Sequence, residues 1–350
     1  MKKIILSALF LASAVTFAQE SNLSVSGSVD TYYSTNLSTG VSGTTGILSD
    51  VPANGFGLGM ANVVFAYETE KGGVVADLAF GPRANGANMY AKNVSDANGD
   101  AIGTAAGAIN QLYAYYNISD KLTATLGQFN TFYGYEVISP AANFNYSVSY
   151  LFNAGPFSHT GLKLDYAASE DLSFMLAVTN PHGIYTGSNL TGDYYQVGLQ
   201  AGFKGQYLNF AYGADGFAMN GANLATDALY IDYTGGFNIS ESLYLGINAA
   251  YSSSEDADYG YQGAALYGEY TFSEKFALGL RPEFFQETGS ADADVLALTL
   301  TGSTNLTESL KVITELRYDG TDATNPVWGN VLPGGEDTVT ALTIAAVYSF

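Results

Sequence analysis

The chain of 350 residues contains no cysteine and only two histidines, and its 12 Lys+Arg face 33 Asp+Glu, a formal charge of −21. Without cysteine there is no disulfide framework, thiolate metal site, Cys nucleophile or lipid-modified N-terminal Cys. Two histidines leave little for a His-based metal site. The acidic balance argues against nucleic acid, whose phosphates need a basic patch. Long apolar runs are absent as well: after Ala18 no stretch of 18 apolar residues offers a spanning helix. What the chain does have is 40 glycines, 27 tyrosines and 20 phenylalanines, too much aromatic character for a disordered polymer.

Lys2 and Lys3, an apolar run from Ile4 to Ala14 and small residues up to Ala18 follow the order of a secretory signal peptide. Cleavage after Ala18 leaves 332 residues and, by removing both lysines, takes the formal charge to −23. The expected division is a signal peptide at 1–18 and one domain at 19–350.

Downstream, apolar residues alternate with polar ones over segments of about ten residues. Leu162, Leu164 and Tyr166 alternate with Lys163 and Asp165; Leu278, Leu280 and Phe284 with Arg281 and Glu283; Leu310, Val312, Leu316 and Tyr318 with Lys311, Glu315 and Arg317. In a strand the two sets point to opposite faces. A turn phrase punctuates the pattern: Asn117-Ile118-Ser119-Asp120 recurs as Asn238-Ile239-Ser240-Glu241 and Asn305-Leu306-Thr307-Glu308. Short turns are expected near 71, 120, 170, 204, 240, 273 and 307. Longer polar stretches lie between them, at 37–58, 84–107, 131–157, 182–193, 216–225, 253–258, 287–293 and 319–337. Seven short turns pair fourteen strands, and a first and last strand make about sixteen. The fold class predicted is all-β: a transmembrane antiparallel β-barrel with short periplasmic turns and long outer loops. A soluble sandwich would bury the apolar face instead, but sixteen long strands exceed its usual size.

The last segment, Leu342 to Phe350, places Phe350, Tyr348, Ala346, Ile344 and Leu342 on one face. Its terminal aromatic resembles the assembly signal of outer-membrane barrels, with Tyr348 and Phe350 as the recognised residues. Closure would leave no edge strand in lipid, and Tyr and Phe would form interfacial girdles.

Gly27-Ser28-Val29-Asp30-Thr31-Tyr32-Tyr33 resembles the first strand of the OmpL-like β-barrel porins (β-barrel porin-2). So does the block from Gly127 to Gly161, chiefly Gly127-Gln128-Phe129, Gly134-Tyr135-Glu136, Asn143-Phe144-Asn145-Tyr146-Ser147 and His159-Thr160-Gly161. Asn180-Pro181-His182-Gly183 departs from the family's Asn-Gly-aromatic pattern in the fourth outer loop. The resemblance implies an outer-membrane channel. In sixteen-stranded porins a loop placed like 131–157 folds inward, and trimers are usual.

Sixteen strands enclose a space too wide for side chains to fill, so a water-filled channel for ions and small polar solutes is expected. Lys71, Lys121, Lys204 and Lys275 fall in short turns and Lys92 in a long loop. Arg83, Lys163, Arg281, Lys311 and Arg317 fall on polar strand faces and, with Asp77, Asp165, Glu283 and Glu315, are expected to line the pore. The loop 131–157, with a helical turn around Tyr146–Phe152, would bring Glu136, Asn143 and Asn145 opposite them across water. Such opposed charges orient solutes and set ion preference. On that arrangement, Arg281 and Arg317 replaced by Glu should increase cation preference. Alternatively, Arg281–Glu283 and Glu315–Arg317 neutralise one another along their own strands. The total charge leans weakly towards cations, although loop acids are screened over about 10 Å.

A substrate-selective channel, with Tyr113, Tyr115 and Phe129 as an aromatic slide, and a plugged surface-binding barrel remain as alternatives. His159 and His182 lack the partners of a catalytic site, and no enzyme is expected. Asp96-Ala97-Asn98-Gly99-Asp100 lacks the later Glu of a calcium loop. No cofactor or metal is expected. The partners expected are the lipid bilayer with its lipopolysaccharide, the barrel assembly machinery and small polar solutes.

Overall fold

Alternating segments with one apolar and one polar face cannot bury both in a flat sheet, and here they close into a barrel. The structure is a computed structural model that describes residues 22–38, 54–87, 108–181, 195–219, 225–254, 256–289, 292–321 and 337–350. The strands are β1 (Leu23–Asn36), β2 (Gly55–Thr69), β3 (Gly72–Phe80), β4 (Ile109–Ser119), β5 (Leu122–Asn130), β6 (Ser158–Ala167), β7 (Leu172–Thr179) and β8 (Gln196–Phe203). They continue as β9 (Gln206–Met219), β10 (Ala225–Asn238), β11 (Leu243–Ser254), β12 (Tyr259–Ser273), β13 (Phe276–Gly289), β14 (Ala293–Asn305), β15 (Leu310–Gly320) and β16 (Thr338–Ser349). Each pairs antiparallel with its neighbours in sequence, and β1 pairs with β16 to close the ring. The expected sixteen strands and seven short turns are all present. The expected signal peptide, Lys92, Asp96–Asp100 and His182 lie outside the described residues.

Leu162, Tyr166, Leu280, Phe284, Leu316 and Tyr318 face outward and are exposed, whereas Arg281, Glu283, Glu315 and Arg317 face inward. The barrel is therefore apolar outside and polar inside, the inverse of a water-soluble sandwich and the arrangement that lipid requires. Among the described residues no helix is long and apolar enough to cross a membrane.

Two glycines make close approaches possible. At the seam, Phe350 and Gly27 exchange backbone hydrogen bonds of 3.0 Å. The Phe350 ring lies 2.7 Å from where a Gly27 Cβ would sit. Gly127 adopts φ 136°, and a Cβ there would stand 2.2 Å from the Leu112 carbonyl oxygen.

Among the described residues two one-turn helices lie in the loops. Pro82–Ala87 forms α1 directly after β3. This corrects the placement of Arg83 on a strand: Pro82 lacks the N–H a ladder needs and suits the first turn of a helix. Tyr150–Ala154 forms α2, starting four residues later than the expected turn. The Ser149 side chain sets that start by accepting from the Phe152 N–H at 3.0 Å.

Candidate functional site

The segment 131–157 leaves β5 and enters the barrel, its base closed by the Thr131 N–H donating to the Phe157 carbonyl at 3.1 Å. Its course is fixed strand by strand. The Tyr133 hydroxyl donates to Gln196 on β8 at 3.0 Å, and its ring stacks on Tyr230 of β10 at 4.2 Å. The Gly134 N–H donates to Asp232 at 2.9 Å, a carboxylate also held by Asn209 and Asn248. Tyr135 meets Tyr244 of β11 hydroxyl to hydroxyl at 2.8 Å and stacks on Tyr267 of β12 at 4.1 Å. Glu136 pairs directly with Arg281 of β13 at 2.5 Å, both buried. Ser139 then reaches Ser28 of β1, and Lys311 of β15 lies 3.3–3.4 Å from the carbonyl oxygens of Pro140, Ala141 and Asn143.

From Tyr146 the chain is gripped through its backbone. Three successive carbonyls each accept from a different arginine: Tyr146 O from Arg83 at 2.7 Å, Ser147 O from Arg281 at 2.8 Å and Val148 O from Arg317 at 2.6 Å. Carboxylates take the N–H groups between them. Glu315 accepts from Tyr146 at 3.0 Å and Ser147 at 3.2 Å, Glu136 from Ser149 at 2.7 Å and Glu283 from Leu151 at 2.9 Å. Charge-assisted hydrogen bonds of this kind are roughly twice as strong as neutral ones, and they replace the sheet partners that an inward loop lacks. Burial pushes the Tyr146 phenol well above its ordinary value, so it stays protonated and donates to Asp30 at 2.7 Å. Its ring lies 4.7 Å beneath the Arg83 guanidinium.

These contacts redraw the expected site. Arg281, Glu283, Glu315 and Arg317 do face inward, but they are buried under the loop. The expected separation of Arg281 and Glu136 by water is corrected: they touch. Local neutralisation holds for Arg317, with Asp319 at 2.9 Å in place of Glu315. Asn143 brackets the Val137 backbone at 3.0 and 2.6 Å, and Asn145 donates to Thr301 at 2.6 Å. Asp77 accepts from Asn62 at 3.1 Å and Asn110 at 2.6 Å. Lys163 and Asp165 pair at 3.1 Å, each about a quarter exposed, with the ammonium 5.3 Å from the Phe129 ring centre. Tyr113 and Tyr115 stand half-buried on β4. Tyr348 and Phe350 are exposed on the outer face. His159 is buried, stacked on Phe132 at 4.5 Å and hydrogen-bonded to Thr131 at 3.0 Å.

Asp30, Asp232, Asp319 and Glu269 belong to the interior and were not singled out from sequence. Inward parity on β1, β10 and β12 was the available signal for three of them. Asp319 falls within the polar stretch 319–337, although it continues the inward alternation of Glu315 and Arg317. Among the described residues no three His, Asp or Glu side chains are placed to hold a metal ion.

A closed sixteen-stranded barrel, apolar towards lipid and polar within, with a loop folded into its lumen, defines an outer-membrane channel. The sequence model of the family described as "Putative beta-barrel porin-2, OmpL-like" matches residues 22–350, and the chain belongs to that family. No curated protein matches it. Among solved structures, the anion-selective porin of Comamonas acidovorans superposes with a TM-score of 0.61 at 12% identity, covering 94% of this chain and 99% of that one. The outer membrane channel DcaP of Acinetobacter baumannii gives 0.57 at 10% identity, covering 94% and 97%. OmpT of Vibrio cholerae, in its trimer form, gives 0.56 at 14% identity, covering 94% and 99%. At these identities the likeness is one of fold.

Proposed function

We propose that this passive diffusion channel conducts beside its inward loop, along the wall of β3 to β6, and prefers cations. The loop's anchors go mainly to β8, β10 to β15 and β1, whereas Tyr113, Tyr115, Lys163 and Asp165 stay partly open to the lumen. The preference is carried by one observation. Lys163 and Asp165 cancel, but Asp77 on β3 is held by amide donors and has no ion pair among the described residues. Asp77 is buried under these donors, and an uncompensated carboxylate just behind the wall of a narrow aqueous path raises the local cation concentration.

Single-channel current across a salt gradient tests both parts. Stepwise openings with a cation-directed reversal potential are expected, and Asp77→Asn should move that potential towards zero. An anion-directed potential would sink the preference. A second reading, a barrel sealed by its loop, is favoured by the burial of Arg83, Arg281, Glu283, Glu315 and Arg317, and it predicts a folded but silent protein.

We also infer that the barrel assembles as a trimer in the outer membrane after export through residues 1–18, with Tyr348 and Phe350 read by the assembly machinery. The solved OmpT trimer supports the assembly by fold analogy. The wall supports it physically. β7 and β8 have 8 residues each, which at ~3.3 Å per residue and ~40° tilt cover about 20 Å, short of the ~25 Å apolar band. A partner barrel would shield that low wall from lipid. Cross-linking in native membranes should give a trimer band; a monomer alone would refute it.

A further inference from the structure

Beneath the inward loop, on the side of the short turns, lies a recess of about 490 Å³ that no solute-path residue described above occupies. Its wall is formed by Tyr244, Tyr267 and Glu269, its roof by Tyr135 and Phe144, and Glu241 stands at its mouth in the turn between β10 and β11. That volume suits a small organic molecule.

Glu269 is the notable group. It sits opposite Tyr244 on β11 and opposite Gly279 on β13. The Phe144 ring fills the space above Gly279, 2.2 Å from where its Cβ would be. Glu269, Tyr244 and Phe144 therefore line the same recess from neighbouring positions. The Glu269 carboxylate makes no hydrogen bond or ion pair among the described residues. Lys311, whose charge acts on Glu269, turns its ammonium to the carbonyls of Pro140, Ala141 and Asn143. No basic side chain lines the recess. A half-buried carboxylate with no hydrogen bond or ion pair, in a recess that also presents aromatic rings, matches an ammonium on an organic body.

We propose that this recess is a periplasm-facing binding site for small organic ammonium solutes, with Glu269 as counter-ion and Tyr244 and Phe144 as lining rings. The site rests on the channel reading for its role in transport, since it would hold such solutes in the lumen on the short-turn side of the loop. Its existence does not require conduction.

Isothermal titration of the full-length barrel, folded in detergent, with putrescine as probe tests it. Saturable binding is expected. Glu269→Gln should weaken it about tenfold, and Tyr244→Leu by a similar factor if Glu269→Gln fails to fold. Glu70→Gln, in the turn between β2 and β3, should leave it unchanged. A flat isotherm would overturn the site, as would equal losses in Glu269→Gln and Glu70→Gln or preferential binding of maltose. A saturable isotherm from a barrel that proves silent in bilayers would support the site while removing the channel reading. A conducting barrel with a flat isotherm would do the reverse.

Discussion

Arg281→Met should increase single-channel conductance about twofold or more while the barrel stays folded. Arg281 is fully buried. It holds Glu136 at 2.5 Å, the Ser147 carbonyl at 2.8 Å, the Ser147 hydroxyl at 3.1 Å and Thr299 at 3.2 Å. Removing it leaves the Glu136 carboxylate buried beside a carbonyl with no positive charge, and breaking one partner of such a pair costs about 3–5 kcal/mol. The inter-strand ladders around the ring are untouched, so the loop gives way before the wall does. Lysine should not rescue the loop, because a single ammonium cannot serve both Glu136 and the Ser147 backbone in one plane. The Arg281→Glu exchange expected from sequence to alter ion preference would act first on the loop, since it sets two carboxylates in contact. A conductance equal to that of the parent protein, with the circular dichroism of an intact barrel, would show that Arg281 does not hold the constriction.

The second large effect is expected at Tyr146. Its ring supports Arg83, its hydroxyl serves Asp30, and its carbonyl and N–H are taken by Arg83 and Glu315. Tyr146→Ala keeps the two backbone bonds but removes the ring and the hydroxyl, a loss of about 3–5 kcal/mol for a buried aromatic. Tyr146→Phe removes only the donor to Asp30, a cost of about 1–3 kcal/mol. Limited proteolysis of the detergent-folded barrel should therefore cut the alanine variant within 131–157, with the phenylalanine variant close to the parent. An alanine variant as resistant as the parent would show that the grip on this segment does not depend on the ring.

Strand number, turn positions and inward parity were legible in the sequence because each is local. Leu162-Lys163-Leu164-Asp165 states its two faces within four residues, and Ser-Asp-Lys and Ser-Glu-Ser mark their own turns. Arg83 was misplaced by carrying the alternation of β3 past Gly81-Pro82, although that pair marks the end of a strand. The bonding of the charged groups was not legible. Arg281 could be assigned to the lumen, but its partner Glu136 lies 145 residues away. Which side of the lumen the loop lies against is decided by anchors such as Asp232 and Gly134, which local patterning does not couple. Reading strand charges as water-facing assumed a gap between them and the inward loop, and the loop closes that gap at Arg281 and Glu136.

The grip on Tyr146 to Val148 also fixes an order of events during folding. The arginines that hold it come from α1, β13 and β15, and the carboxylate that takes its N–H groups comes from β15. Tyr146 also bonds Asp30 on β1, 116 residues earlier in the chain, and Glu315, 169 residues later. Contacts across such separations form only after the intervening chain has lost its freedom. The loop can therefore seat fully only once β1 and the last strands have been brought to the same ring. On that order the ring first closes around a wider bore than the finished protein has, and the loop narrows it afterwards.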